Sequence, residues 1–459
     1  MLDKNDDLII FEGGQIGSDP QGPRSLLEKC RTLTASKPLK WPRASSQGAP
    51  HADIANLMYF VKWAGVDVVY DCFARRFMVR GVPGAFELDE EAVRDIRITL
   101  EILGLEIAKE SFKDWIFYIA QQRKIHPVLM YLNPLKWDGI DRLDTWLTDY
   151  CGVADSPYTR AVGRILMIGA VRRVRHPGIK FDTMVVFEGV QGQGKSSVPK
   201  LLAGEPWFTD DMKMGLESKE VIEKTAGKWI VEVAELHGLS NREIEAVKSF
   251  ISRTSETARG AYRANSSTVP RAFVLIGTTN DRKYLKDPTG NRRFLPIFVP
   301  GDGSSIDLDG LAAARDQLWA EASEREAAGA EIRLPEELWP VANAEQAARL
   351  ITDPKTELLM DLLEGEEGFI ATDELYSTLG LDPQHREQRH QVLLSSTMNQ
   401  LGWAQPPDAL AIKDDGDVVW RHRGWRKGEG WRERILVIEN GRCAALTPDE
   451  IRQRCRSKL

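Results

Sequence analysis

The residues most able to do chemistry form one short run, Gly189-Val190-Gln191-Gly192-Gln193-Gly194-Lys195-Ser196, with Ser197 next. The run fits G-x-x-x-x-G-K-[ST]. Glycines let successive backbone N–H groups curl around phosphate oxygens at a helix N-terminus. A lysine at the seventh position bridges the β- and γ-phosphates, and the hydroxyl after it ligates Mg²⁺. Average composition would produce about 0.02 such matches in a chain of this length, so the run predicts a site for ATP and Mg²⁺.

Binding phosphate is not hydrolysis, which also needs an acid, a water-orienting group and a cation. Trp229-Ile230-Val231-Glu232-Val233-Ala234-Glu235 is an apolar strand carrying two carboxylates. An acid at the C-terminal edge of a parallel strand can hold Mg²⁺ or polarise a water. Glu235, at the expected strand end, is the first choice. Glu232 is the second, because side chains three apart on a strand point to opposite faces. A further apolar run, 272–276, ends in Gly277-Thr278-Thr279-Asn280, and the Asn280 amide is placed to orient the attacking water or touch the γ-phosphate. Arg292 and Arg293 precede another apolar run, and either could stabilise transition-state charge on a neighbouring subunit's nucleotide. The lone histidines His126 and His237 read as packing or turn residues.

These groups need a frame. Three β-rich runs, 183–187, 229–233 and 272–276, alternate with helical segments, which predicts a parallel sheet covered on both faces and hence an α/β P-loop NTPase core over residues 158–350. A mainly helical domain is expected over 51–157, with two short strands or a hairpin at 66–80. Residues 1–50, rich in Gly, Pro, Ser and Lys, read as a flexible arm with one short helix at 25–33. Beyond 353, three helices and a hairpin at 412–420 predict a winged-helix-like domain over 354–459.

Composition narrows the class. The 459 residues are 42% hydrophobic and 28% charged, which excludes collagen-like, mucin-like and wholly disordered chains. Five cysteines without a Cys-x-x-Cys pair are too sparse for a disulfide scaffold or a structural zinc site. The net charge of −7 excludes a uniformly basic nucleic-acid coat and leaves local basic patches open. The acidic N-terminus and the absence of any apolar run near 18 residues predict a cytoplasmic protein without membrane contact.

The order and spacing of the motifs resemble the superfamily 3 helicases, a branch of the AAA+ ATPases. Their wording resembles one family more closely, the virulence-associated protein E family of phages and mobile elements. The resemblance rests on HPVLMYLNPLKWDGIDRL (126–143), PGIKFDTMVVFEGVQGQGKSS (177–197), GKWIVEVAEL (227–236), GTTNDRKYLKDPTGNRRFLPI (277–297) and RDQLWAEA (315–322). It implies an ATPase that remodels or unwinds single-stranded or forked DNA as a ring homo-oligomer, a hexamer, alongside replication proteins of the same element. It also implies that Lys195 and Ser196 serve nucleotide and Mg²⁺, Glu235 the acidic strand motif, Asn280 the sensor, and Arg292 or Arg293 the finger.

DNA contact is expected between the acidic strand and the sensor. Residues 247–271 hold Lys248, Arg253, Arg259, Arg263 and Arg271 against one acid, with Tyr262 among them. Spaced cations track phosphates while an aromatic stacks a base, and in similar helicases this interval contains a pore hairpin. Two other readings stay open at this point: a nucleotide-controlled regulatory ATPase that binds a protein without unwinding DNA, and a DNA-binding loader or repressor.

Overall fold

Buried hydrophobic faces, more than local propensity, decide how this chain is layered. The computed structural model describes residues 22–81, 85–213, 215–236, 241–259, 266–285, 290–301, 306–351, 354–439 and 441–457. They fall into two compact units, one closing at Leu350 and the other opening at Ile351.

The first unit begins with α1 (Gly22–Ser36), α2 (Ile54–Trp63), the hairpin β1 (Asp67–Asp71) and β2 (Arg76–Arg80), and β3 (Phe86–Glu87). It continues through α3 (Glu90–Ile102), α4 (Lys109–Gln122) and β4 (Lys124–Ile125). Asp53 and Asp89 start α2 and α3 by accepting backbone N–H bonds from Asn56 and Ala92, the usual service of an acidic N-cap. The strands form one sheet in the order β3-β2-β1-β4. Helix α1 buries Leu26 and Cys30 against Leu57, Ile96 and Phe112. Residues 22–36 are therefore packed, where the sequence suggested a loose arm; residues 1–21 lie outside the described residues.

Next come α5 (Pro127–Leu132), α6 (Trp146–Cys151), α7 (Pro157–Arg175), β5 (Met184–Glu188), α8 (Ser197–Ala203), β6 (Phe208–Thr209), α9 (Ser218–Thr225) and β7 (Ile230–Val233). Then follow α10 (Asn241–Ser252), the hairpin β8 (Ser255–Arg259) and β9 (Ser266–Pro270), β10 (Val274–Thr279), β11 (Phe294–Phe298), α11 (Leu308–Ala327) and α12 (Trp339–Ala348). Five of these strands make a sheet in the order β11-β5-β10-β7-β6, parallel throughout. The architecture is mixed α/β.

Alternation along each strand splits the core in two. Val185, Phe187, Ile230, Val274 and Ile276 pack with Ile165 of α7, Val198 and Leu202 of α8, and Leu318 of α11. Met184, Val186, Val231, Val233 and Leu275 pack on the other face with Val221 of α9 and Val247, Phe250 and Ile251 of α10. Residues 128–153 share the first of these cores, through Val128, Leu132, Leu143 and Trp146. The segment from Trp137-Asp138-Gly139 to Leu143 is held there by α11. Gln317 accepts from the Asp138 N–H at 3.0 Å, and Glu321 accepts from the N–H groups of Arg142 (2.7 Å) and Leu143 (3.0 Å). Two of the segments carrying the family resemblance thus meet as a scaffold.

The second unit comprises α13 (Pro354–Leu363), β12 (Gly368–Ala371), α14 (Thr372–Thr378), α15 (Gln388–Gln400), the antiparallel hairpin β13 (Leu410–Asp414) and β14 (Asp417–His422), β15 (Gly424–Lys427), β16 (Ile435–Glu439), β17 (Arg442–Leu446) and α16 (Pro448–Arg456). A sheet in the order β15-β12-β16-β17 covers a core of Leu359, Ile370, Leu375, Met398, Trp403 and Trp425. No helix among the described residues is long and apolar enough to cross a membrane.

Candidate active site

The glycine-rich loop leaves the C-terminal end of β5 and enters α8, so its N–H groups gather at a helix start on the C-terminal edge of a parallel sheet. Gly189 sits at φ +154°, and a Cβ there would lie 2.5 Å from the Val299 carbonyl oxygen. No larger residue fits between β5 and the end of β11. Val190, Gln191 and Gly192 are exposed, Gln193 donates to the Pro300 carbonyl at 2.6 Å, and Gly194 turns the chain into the lysine. Lys195 is nearly buried. Its ammonium donates to the carbonyls of Gly189 (2.8 Å) and Val190 (2.7 Å) and to Asn280 Oδ1 (3.1 Å). Burial pushes its pKa below the ordinary lysine range.

Ser196 Oγ donates to Glu232 Oε1 at 2.6 Å, and Thr278 Oγ1 donates to the same oxygen at 2.6 Å. Glu232 is 1% exposed, and its second oxygen, Oε2, is buried without a hydrogen-bond partner among the described residues. A buried, unsatisfied carboxylate oxygen is costly. Beside a serine hydroxyl it fits a hard divalent cation, which takes oxygen ligands and retains several waters. Among the described residues no group of three His, Cys, Asp or Glu side chains could hold a metal ion.

The structure places the two acids differently, with Glu232 and not the first choice, Glu235, against Ser196. Strand β7 ends at Val233, and Glu235 lies exposed beyond it with φ +57°. Glu232 alternates with Val231 and Val233, so it points to the face on which α8 packs. Strand β10 separates β5 from β7 and carries Thr278 on that same face, in line with Val274 and Ile276. Thr278 escaped the sequence reading, although its parity with those two core residues was a usable signal.

The arginines separate. Arg293 is used within the chain, donating to Ser252 Oγ (2.7 Å) and the Gly290 carbonyl (3.1 Å), while Arg292 is exposed. Of the residues expected to meet DNA, Lys248 is corrected: it is 4% exposed, its stem lies against Gly290, and its ammonium pairs with Glu245 at 2.8 Å. Arg253 is part-exposed and pairs with Glu256 at 3.3 Å. Arg271 is buried between the Phe250 and Phe273 rings and donates to Glu256. Arg259 ends β8, with its side chain outside the description; Tyr262 and Arg263 lie outside the described residues, as does His237. Upstream, Arg172 and Arg175 pair with Glu326 of α11 and Arg173 is buried, so this cluster serves internal packing. His126 caps α5, its Nδ1 accepting from the Leu129 N–H.

A second buried network lies under the loop. Glu188, the last residue of β5, accepts from Arg349 Nε (2.9 and 3.0 Å), Arg349 Nη2 (2.7 Å) and Tyr284 Oη (2.8 Å). Tyr284 and Leu285 donate their N–H groups to the Arg349 carbonyl at 3.1 and 3.0 Å. Burial opposes the charge on Arg349, yet the Glu188 carboxylate holds its pKa above the ordinary range. Burial, then Glu188, raises the Tyr284 phenol well above its own.

Residues 132–351 match the family model of the virulence-associated protein E-like domain. No curated protein matches the chain. Among solved structures, the apo structure of the NrS-1 C terminal region (305-718) is similar at 13% identity and a TM-score of 0.45, over 81% of this chain and 98% of that one. The A form apo structure of the same region gives 12% identity and a TM-score of 0.45, over 81% and 99% of the two chains.

Proposed function

We propose that this chain, whose residues 132–351 form a virulence-associated protein E-like domain, is a P-loop ATPase of the superfamily 3 helicase type. It couples ATP hydrolysis to DNA translocation or unwinding in replication of a phage or mobile element, acting as a ring oligomer. The observation that carries the reading is the Ser196–Glu232 contact with its unpartnered buried oxygen, set beside the Lys195–Asn280 contact.

Backbone amides of residues 189–196 and the Lys195 ammonium bind the phosphates. Ser196 and Glu232 would hold Mg²⁺, which when bound neutralises charge on the β- and γ-phosphates. Asn280, exposed at the mouth of the site, orients the attacking water. Arg292 reaches a neighbouring subunit's nucleotide, which makes turnover depend on assembly. The β8–β9 hairpin contacts single-stranded DNA, and the second unit acts as a winged-helix-like accessory domain.

A second reading is favoured by one observation: Lys248, Arg172, Arg175 and Arg271 all spend their charge on partners inside the chain. That depletes the basic surface a DNA motor needs and suits a regulatory ATPase acting on a protein partner. Steady-state ATP hydrolysis by the wild type and Lys195→Ala, with and without single-stranded DNA, over a protein-concentration series, separates the two. Turnover that rises with DNA, rises more than proportionally with protein, and drops about 100-fold or more in the variant supports the ring motor. Turnover indifferent to DNA promotes the regulatory reading, and no turnover at any concentration removes both.

A further inference from the structure

We infer that Arg349 is a positioning residue, which sets the distance between the phosphate-loop lysine and the Asn280 amide without touching the nucleotide. The inference rests on the ATPase reading above. Lys195 is held by two arms, the adjacent carbonyls of Gly189 and Val190 on one side and the Asn280 amide oxygen on the other. Glu188 directly precedes the first arm, and Tyr284 lies four residues beyond the second. Both are fully buried, and both end on Arg349, Glu188 through its two carboxylate oxygens and Tyr284 through its backbone N–H. Tyr284 closes the figure by donating its phenol to Glu188 at 2.8 Å.

Contacts and covalent chain together therefore close a ring: Lys195 to Gly189, along the chain to Glu188, across to Arg349 and Tyr284, and back along residues 281–283 to Asn280 and Lys195. Leu350 bridges to Leu285, so the backbone on the C-terminal side of Arg349 is stitched to the same segment. A planar guanidinium that donates to both oxygens of a carboxylate fixes orientation as well as distance. A buried ion pair is weak evidence of stabilisation, because apolar residues of similar volume often serve the fold as well. What they cannot reproduce is the angle between the two arms. Loss of Arg349 should leave the loop able to bind phosphate and leave Asn280 misplaced for the water.

The test compares wild type, Arg349→Met, the double variant Glu188→Met/Arg349→Met, and Tyr284→Phe in the full chain. Thermal melting, the affinity for a fluorescent ADP analogue with Mg²⁺, and kcat for ATP are measured on each. Arg349→Met should melt lower, because it strands a buried carboxylate. The double variant should recover the melting temperature and bind the analogue within about threefold of wild type, with kcat down about tenfold or more. Tyr284→Phe removes one hydroxyl and serves if the double variant does not fold; its kcat should fall about threefold or more at unchanged affinity. A folded variant with wild-type kcat, or one whose affinity falls as far as its kcat, overturns the inference. If the wild type binds the analogue but hydrolyses no ATP, the ATPase reading fails separately. Hydrogen exchange of residues 280–285 then decides: nucleotide-induced protection lost in Tyr284→Phe upholds the positioning role, and equal protection in both overturns it.

Discussion

Ser196 Oγ donates to Glu232 Oε1 at 2.6 Å, joining the first turn after the phosphate loop to the middle of a strand 36 residues away. The contact follows from parity. Ile230 packs with Val198 and Leu202 of α8, whereas Val231 and Val233 face α9 and α10. The acid in step with Ile230 must therefore face the loop helix.

Glu232→Gln should reduce Mg²⁺-dependent ATP hydrolysis by about 100-fold or more, since the carboxylate would hold the cation. Glu235→Gln, at an exposed position past the strand, should stay within about threefold of wild type. Phosphate release measured on both variants checks the assignment. The reverse ranking would restore Glu235 to the site.

Gly189→Ala places a Cβ 2.5 Å from the Val299 carbonyl at φ +154°. It should cost about 1–3 kcal/mol of stability and abolish nucleotide binding. At Gly192 nothing among the described residues lies within 4 Å of an added Cβ, and the φ of +86° alone opposes a side chain, so Gly192→Ala should cost about 1 kcal/mol. Denaturant unfolding of the two variants tests the contrast.

If the hairpin region grips single-stranded DNA, Arg253→Gln should reduce the slope of log affinity against log salt by about 0.7 per lost phosphate contact. Lys248→Gln should leave that slope unchanged, because its ammonium is buried against Glu245. Fluorescence anisotropy titrations across salt concentrations give both slopes.

The second unit has its own acid sensitivity. A hydrogen bond from Arg386, at 2.6 Å, holds the Asp373 carboxyl below its ordinary value of 3.8, with a further contribution from His422. A depressed folded pKa stabilises the fold above the unfolded value, and that stabilisation is lost as pH falls through the folded one. Asp373→Asn should therefore flatten the melting temperature of this unit against pH below about 4 and lower it slightly at pH 7, where the pair is part-exposed. Calorimetry between pH 3 and pH 7 checks both signs.

Much of the frame was legible because its strands are apolar on both faces. The run expected at 229–233 is β7 at Ile230–Val233, and that at 183–187 is β5 at Met184–Glu188. The turn from β5 into α8 was legible because its glycine spacing is local. Which acid meets Ser196, Glu232 or Glu235, was not, since it depends on which face α8 covers, and tertiary packing sets that face. Arg349 was hidden for a plainer reason: its partner Glu188 lies 161 residues away, and nothing in the end of α12 distinguishes it from a surface arginine. Lys248 shows the converse, a cation whose type was plain and whose burial was not. The two-residue β6 and the four-residue β15, GWRK, are too short or too polar to stand out by pattern, whereas the apolar run of β16, Ile435–Glu439, was a usable signal that the hairpin reading passed over.

The placement of β10 between β5 and β7 also bears on how the chain is made. In register, Val185 of β5 meets Ile276 of β10, and Met184 meets Phe294 of β11. Both flanking strands of β5 emerge from the ribosome long after it. At roughly 5–20 residues per second, the Met184–Phe187 stretch waits on the order of 5–20 s with both edges unpaired. An apolar strand open on both sides is a template for misassembly. Synthesis halted before residue 274 would leave that template permanently uncovered, so prematurely terminated products should partition to aggregates or holdase chaperones, whereas chains extending past residue 298 carry their own cover.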